Sequence, residues 1–177
     1  LHFDHCGGSV KWNNDKTGFE MAFKNAKYWS NNDHWSHALN SNYREKASFL
    51  KDNIVPIQQS GQLNFIERDS KFLDFFNVLF VDGHTESQMI PHIQYKNKTI
   101  VFAADLLPST GHIPLAYVMG YDTQPLKTLV EKKQFLLDAA EKQYVIFLQH
   151  DNYNECCTVK LSEKGVVLDQ TFKLSDI

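Results

Sequence analysis

The sequence predicts an α/β layered protein. Three observations carry that reading: short apolar, β-branched runs from residue 62 onward, one long amphipathic helical pattern after residue 123, and a return to strand-like runs beyond it. At 177 residues, with 42% hydrophobic and 22% charged residues, the chain can bury a sizeable core. No internal repeat, low-complexity tract or linker interrupts it, so residues 1–177 read as a single domain.

Residues 1–18 are rich in Gly, Asn and Asp and read as a loop leading into a short helical region, and Ala26–Ser30 as a strand. Residues 31–55 suggest one or two short helices that stop before Pro56. Strands are expected at Leu63–Glu67, Phe75–Val81, Ser87–Tyr95 and Thr99–Ala104, with Asn97 at a hairpin tip. The long helix should start with Thr123 as N-cap and Pro125 in its first turn. Leu126, Leu129, Val130, Phe135, Leu136, Leu137 and Ala140 follow near helical spacing. Tyr144–Gln149 reads as a buried strand, and Cys157–Leu161 with Val166–Gln170 as a hairpin turning at Lys164-Gly165.

Composition excludes several classes of function. The net charge of −3 comes with scattered Lys and Arg, so no basic stripe marks a nucleic-acid or anionic-membrane partner. No apolar run reaches 18 residues, and no membrane span is expected. Cys6, Cys156 and Cys157 are odd in number and lack C-x-x-C spacing, which suits reduced thiols in a cytoplasmic protein. The chain opens at Leu1, inside a cluster of His and Asp, as expected of a fragment or of a chain whose preceding residues are not seen.

That cluster, His2-Phe3-Asp4-His5, places three candidate metal ligands in one loop, followed by Cys6-Gly7-Gly8. Imidazole nitrogen and carboxylate oxygen suit zinc and similar divalent ions. His84, Asp105 and His150 each follow an apolar strand-like run, and loops at strand ends are where a rigid sheet aims polar side chains. A carboxylate left unpaired at the end of a buried strand would be costly, whereas a metal would satisfy Asp105.

The order of these residues resembles the metallo-β-lactamase superfamily, whose signature is His-x-His-x-Asp-His, then a lone His, a bridging Asp and a last His. Leu1-His2-Phe3-Asp4-His5 matches the tail of the first motif, Gly83-His84-Thr85 the lone histidine, Asp105 the bridging acid and His150 the last ligand. The resemblance implies an αβ/βα sandwich with its N-terminal portion missing from this chain, including the motif's first histidine. It implies two divalent metal ions, zinc with manganese or iron as alternatives: one held by His2, His84 and Asp105, the other by Asp4, His5, His150 and the same Asp105. Within the superfamily the sequence looks most like the lactonase and organophosphate-hydrolase branch, from His-Phe-Asp-His-Cys-Gly-Gly, Asp105-Leu-Leu-Pro-Ser, Gly120-Tyr121-Asp122 and Gln149-His150-Asp151. It departs where Glu86-Ser87 follows Gly-His-Thr, and where no tyrosine stands shortly after Asp105.

The implied activity is metal-dependent hydrolysis of a small ester, lactone or phosphotriester-like substrate by a metal-bound hydroxide. Asp4 is the expected catalytic residue, as ligand and proton shuttle. A nuclease of the same fold and a non-catalytic metal-binding scaffold are the alternatives, and an oxidoreductase related to flavodiiron proteins is a more distant one. The partners expected are a small-molecule substrate, no nucleic acid and no membrane, with a homodimer allowed. Asp151 is a candidate for orienting a ligand imidazole, and His112 for touching substrate. His34 and His37 read as a solvated helix face, and His92 as structural. Phe3, Trp12, Phe19, Phe23, Trp29 and Trp35 read mostly as ordinary core, with a pocket lining as the alternative.

Overall fold

Ten strands and four helices form in the computed structural model, which describes residues 1–177. The chain divides into two units, Leu1–Ser70 and Lys71–Ile177. The second holds a six-stranded sheet, and the first two strand pairs and three helices.

In the first unit α1 (Phe3–Cys6) leads through a 3-10 turn into β1 (Val10–Trp12), which pairs antiparallel with β2 (Phe19–Met21). β3 (Tyr28–Ser30) and β4 (Leu63–Phe65) are parallel, joined through α2 (Asn32–Leu39) and α3 (Lys51–Gln59). Asn31 caps α2, its Oδ1 accepting the His34 N–H at 2.8 Å. The core is Met21, Trp35, Ala38, Phe49, Ile54 and Ile57.

Three expectations for this region are corrected. Residues 1–18 carry a helical turn and a strand rather than only a loop; a four-residue helix and a three-residue strand are too short to show a period. α3 runs through Pro56. A proline there leaves the Asp52 carbonyl without its helical donor, which is tolerable because Asp52 is exposed to solvent. Of the six aromatics read as core, only Trp35 is buried; Phe3, Trp12, Phe19, Phe23 and Trp29 are exposed. Trp12 and Phe19 face each other across the β1–β2 pair with ring centroids 4.4 Å apart, so each shields its neighbour instead of entering the core.

The second unit is one mixed sheet in the order β10-β9-β8-β7-β6-β5. Its strands are β5 (Phe76–Val81), β6 (Gln88–Tyr95), β7 (Lys98–Phe102), β8 (Val145–Phe147), β9 (Cys156–Ser162) and β10 (Gly165–Phe172). All neighbours are antiparallel except β7 and β8. That pair is parallel because the chain between them crosses over through α4 (Pro125–Glu141). The two-residue turn between β6 and β7 holds Lys96 at φ 53°.

α4 buries Thr128, Lys132, Phe135, Leu136 and Ala139, a stripe at helical spacing. Phe135, Leu136 and Ala139 share a core with Val81, Ile90, Val101, Ile146, Cys157 and Val159 from the sheet. Leu126 and Val130, read from the sequence as part of that face, point to solvent. Thr123 is not the N-cap: Gln124 takes that position without a side-chain bond. No helix is long and apolar enough to cross a membrane.

The buried stripe makes Phe135→Ala a core deletion, expected to cost about 3–5 kcal/mol, while Val130→Ala on the opposite face should stay within about 0.5 kcal/mol. Urea unfolding followed by circular dichroism checks the contrast. Equal losses for the two variants would contradict this packing.

Candidate metal centre

The sheet topology explains why three residues far apart in sequence meet. β5 and β7 both run antiparallel to β6 and hence in the same direction, and β8 is parallel to β7. Their C-terminal residues, Val81, Phe102 and Phe147, therefore lie at one end of the sheet. His84, Asp105 and His150 each stand three residues beyond one of those strand ends. Phe102 pairs in register with Phe147, so Asp105 and His150 leave the sheet level with each other. The carboxyl end of parallel strands is the general place for a ligand site in open α/β sheets.

Asp105 is buried and its two oxygens face two different imidazoles. Oδ2 lies 3.3 Å from His84 Nε2, and Oδ1 lies 3.1 Å from His150 Nε2. Charge-assisted hydrogen bonds between such groups are typically about 2.7–2.9 Å. Two ligands each about 2.0–2.2 Å from one tetrahedral ion lie roughly 3.4 Å apart. The His84 separation is nearer the second figure and the His150 separation falls between the two, and the donor set of imidazole nitrogen and carboxylate oxygen suits a divalent ion. These residues fit the binding of a divalent metal ion. Just before it, Ala104 has φ 43°, a conformation that costs a non-glycine residue about 1–3 kcal/mol and that the sharp exit of Asp105 from β7 imposes.

His84 is fixed more rigidly than a loop residue ordinarily is. The backbone N–H groups of Asp82 and Gly83 donate to the Glu131 carboxylate at 2.8 and 2.9 Å. Thr123 N–H donates to the His84 carbonyl and Gln124 N–H to the Gly83 carbonyl. A Cβ on Gly83 would lie 2.4 Å from the Thr128 backbone nitrogen, so only glycine lets this turn press against α4. The imidazole is held from its far side, with Nδ1 2.9 Å from Asp122 Oδ1. That bond leaves Nε2 as the nitrogen facing Asp105.

In the first unit His2 is buried and Asp4 and His5 lie on one helical turn. The N–H groups of His5 and Cys6 both donate to the His2 carbonyl. His5 Nε2 lies 3.6 Å from Asp4 Oδ2, and the Asp4 side chain is about a third exposed. His2 packs against the Phe49 ring with centroids 4.6 Å apart, and its Nε2 lies 3.6 Å from Glu45 Oε1. Within the first unit Asp4 and His5 adjoin while His2 turns to Glu45; within the second, His84, Asp105 and His150 converge.

The acid that orients a candidate ligand is Asp122, not Asp151. Asp151 accepts from the Thr110 N–H and hydroxyl at 2.9 and 2.7 Å and from the N–H groups of Tyr153 and Asn154. Burial alone would raise its carboxyl, but these bonds outweigh it and hold the group well below the usual carboxylate range. Asp151 thus organises the loop after His150. His112 bonds Ser109 Oγ through Nδ1 at 2.8 Å, and burial with the nearby Lys132 charge lowers its pKa.

His34 and His37 are not a solvated face. His34 is buried and His37 Nε2 meets Glu45 Oε2 at 2.8 Å. His92 packs edge-on to Phe135 and Tyr144 and bonds the Ile90 carbonyl, as a structural residue does. Burial pushes the Cys156 thiol up to about 11 and Cys157 to about 12, which makes both poor nucleophiles. Asp122 and Glu45, the buried acids that face imidazoles here, are not singled out by the sequence. Asp122 stood inside a recognised segment, Gly120-Tyr121-Asp122, but Glu45 had no motif around it.

No family model matches the sequence, and neither does any curated protein. Solved structures do. A probable metal-dependent hydrolase from Staphylococcus aureus is similar over 97% of this chain and 61% of its own, at 24% identity and a TM-score of 0.79. The hydrolase AbOPH, of the beta-lactamase superfamily, aligns with 86% of this chain and 58% of its own, at 20% identity and 0.71. AidC, a dizinc quorum-quenching lactonase solved with a product, aligns with 86% of this chain and 57% of its own, at 20% identity and 0.67. The chain spans about three fifths of the length of these structures. Its fold is the metallo-β-lactamase fold.

Proposed function

We propose that this chain carries the metal ligands of a dinuclear hydrolase acting on a small ester, lactone or phosphotriester-like substrate. The observation that supports it best is the Asp105 carboxylate, buried and directed with one oxygen to His84 and the other to His150. A single buried acid with an imidazole on each oxygen is what a shared ligand of two ions requires. The likeness to metal-dependent hydrolases, among them a dizinc lactonase and a hydrolase of the beta-lactamase superfamily, supports the same reading.

In this proposal His2, His84 and Asp105 hold one ion, and Asp4, His5, His150 and Asp105 hold the other. Zinc is the ion the donor set suits best, with manganese and iron as substitutes. When bound, such a pair supplies Lewis acidity toward a carbonyl or phosphoryl oxygen and lowers the pKa of water toward about 7.

The chain's own residues do the rest. Asp122 fixes the His84 tautomer, so that Nε2 offers its lone pair at the site. Asp105 holds the spacing between the two histidines that face it. Asp4 is the acid with solvent access, and a carboxylate that is partly exposed can take a proton from water and deliver it to a leaving group. Lactone and ester substrates need that delivery, because an alkoxide leaves poorly without it.

Metal analysis of the full chain after zinc loading should find about two ions per chain, and Asp105→Asn should cut that content and abolish hydrolysis across a panel of esters, lactones and phosphotriesters. Chelation should remove the activity, and added zinc or manganese should restore it. Wild-type protein that binds no zinc and hydrolyses nothing on the panel would sink the proposal. Separately, Asp122→Asn should weaken zinc binding about 10- to 100-fold while leaving the fold intact, measured by competition with a chromophoric chelator.

A further inference from the structure

Resting on the metal-site reading above, we propose that Glu45 is the positioning residue for His2, holding the imidazole from its Nε2 side so that Nδ1 is the nitrogen presented to an ion. The Glu45 side chain is buried and its two oxygens serve two imidazoles. Oε1 lies 3.6 Å from His2 Nε2, and Oε2 lies 2.8 Å from His37 Nε2. Asn42 Nδ2 donates to Oε2 at 2.7 Å. Its Oδ1 accepts the N–H groups of Arg44 and Glu45, so the turn that carries the carboxylate is itself fixed.

The same turn grips the ligand segment directly. The Ser48 carbonyl accepts the Phe3 N–H at 2.8 Å, next to His2. Phe49 lies beneath the His2 ring at 4.6 Å and meets His34 and His37 edge-on at 5.9 and 5.7 Å. Residues 42–49 therefore form a cradle that sets both the place and the tilt of the His2 ring, and Glu45 supplies its only negative side chain. A buried carboxylate is costly unless paired and hydrogen-bonded. This one is directed to imidazoles and an amide, as an acid that orients histidines would be.

The arrangement mirrors the other unit with the nitrogens exchanged. Asp122 holds His84 by Nδ1 and leaves Nε2 toward Asp105. Glu45 Oε1 faces Nε2 of His2 at 3.6 Å, an ion-pair distance rather than a hydrogen bond, and a proton drawn to Nε2 by that charge leaves the lone pair on Nδ1. Each buried acid thus selects the tautomer of one histidine in its own unit.

Long-range proton–nitrogen NMR of the metal-free full chain reads the tautomer, and cobalt(II) titration reads the metal sites. In wild type His2 should be the Nε2–H tautomer. Glu45→Ala should give a tautomer mixture and weaken one of two cobalt sites about 10- to 100-fold, with a changed visible spectrum for that site alone. Glu45→Gln, which keeps an acceptor oxygen, should largely restore both readouts. An unchanged His2 tautomer and unchanged cobalt binding in Glu45→Ala would overturn the proposal. If that variant does not fold, Asn42→Ala, which frees the Glu45 head group without removing it, must produce tautomer mixing, and its absence overturns the proposal equally. A wild type that binds no cobalt yet shows a Glu45-dependent tautomer would overturn the metal reading and leave the Glu45–His2 coupling standing.

Discussion

The parallel, in-register pairing of β7 with β8 is the constraint on which the second unit's site depends. Antiparallel neighbours can be joined by a short turn, but parallel ones force the chain to return to its starting edge. Here the return is the long segment from residue 103 to the end of α4. Because the return is made, β7 and β8 finish at the same end of the sheet, and the residues three places beyond each become neighbours. A hairpin in place of the crossover would put Asp105 and His150 at opposite ends. The β5–β6–β7 meander adds His84 to the same end, since strands two apart in a meander run alike.

Charge burial accounts for much of the remaining architecture. Asp105, Asp122 and Glu45 are each nearly inaccessible, and an isolated buried carboxylate would cost several kcal/mol. Each is placed against imidazole: Asp105 between His84 and His150, Asp122 against His84, Glu45 between His2 and His37. An imidazole can serve two masters, donating from one nitrogen while offering a lone pair from the other. That property lets a histidine satisfy a supporting acid and still face a site. Lysine or arginine in the same positions would neutralise the acids but could never act as a ligand.

The α/β class, the six-stranded sheet's strands and the long helix were legible because each has a period and a length that carry it. The three strand-end candidates stand out for a related reason: each is a polar residue shortly after an apolar run, and the structure brings them to one end of the sheet. What failed was short or tertiary. Three-residue strands in the first unit show no alternation, and Pro56 inside α3 is tolerated by solvent access that no local pattern reveals. The exposed aromatics escape a sequence reading because hydrophobicity says what a side chain avoids, not which face of a short strand or turn it occupies. Asp151 is the acid that sequence suggests as a supporting group, because it adjoins His150. The contact that matters, to His84, spans 38 residues and depends on the turn before α4.

The loop that leads into that turn is held by a lysine which links these constraints. Lys132 is almost wholly buried, and its ammonium donates to the carbonyls of His112, Pro114 and Tyr117. Burial draws its pKa down to about 8, opposed by the negative charge of Asp122. So Lys132 ties down the loop between Asp105 and α4 while sharing in the neutralisation of the acid that holds His84. One turn of α4 therefore supports that histidine by two routes, since Glu131 grips the backbone of Asp82 and Gly83. The crossover helix is needed for topology, and its buried face has been given the further task of orienting His84. A lysine at a core position of an amphipathic helix looks like an error of patterning when read alone. It becomes intelligible once the three carbonyls and the carboxylate around it are counted as its partners.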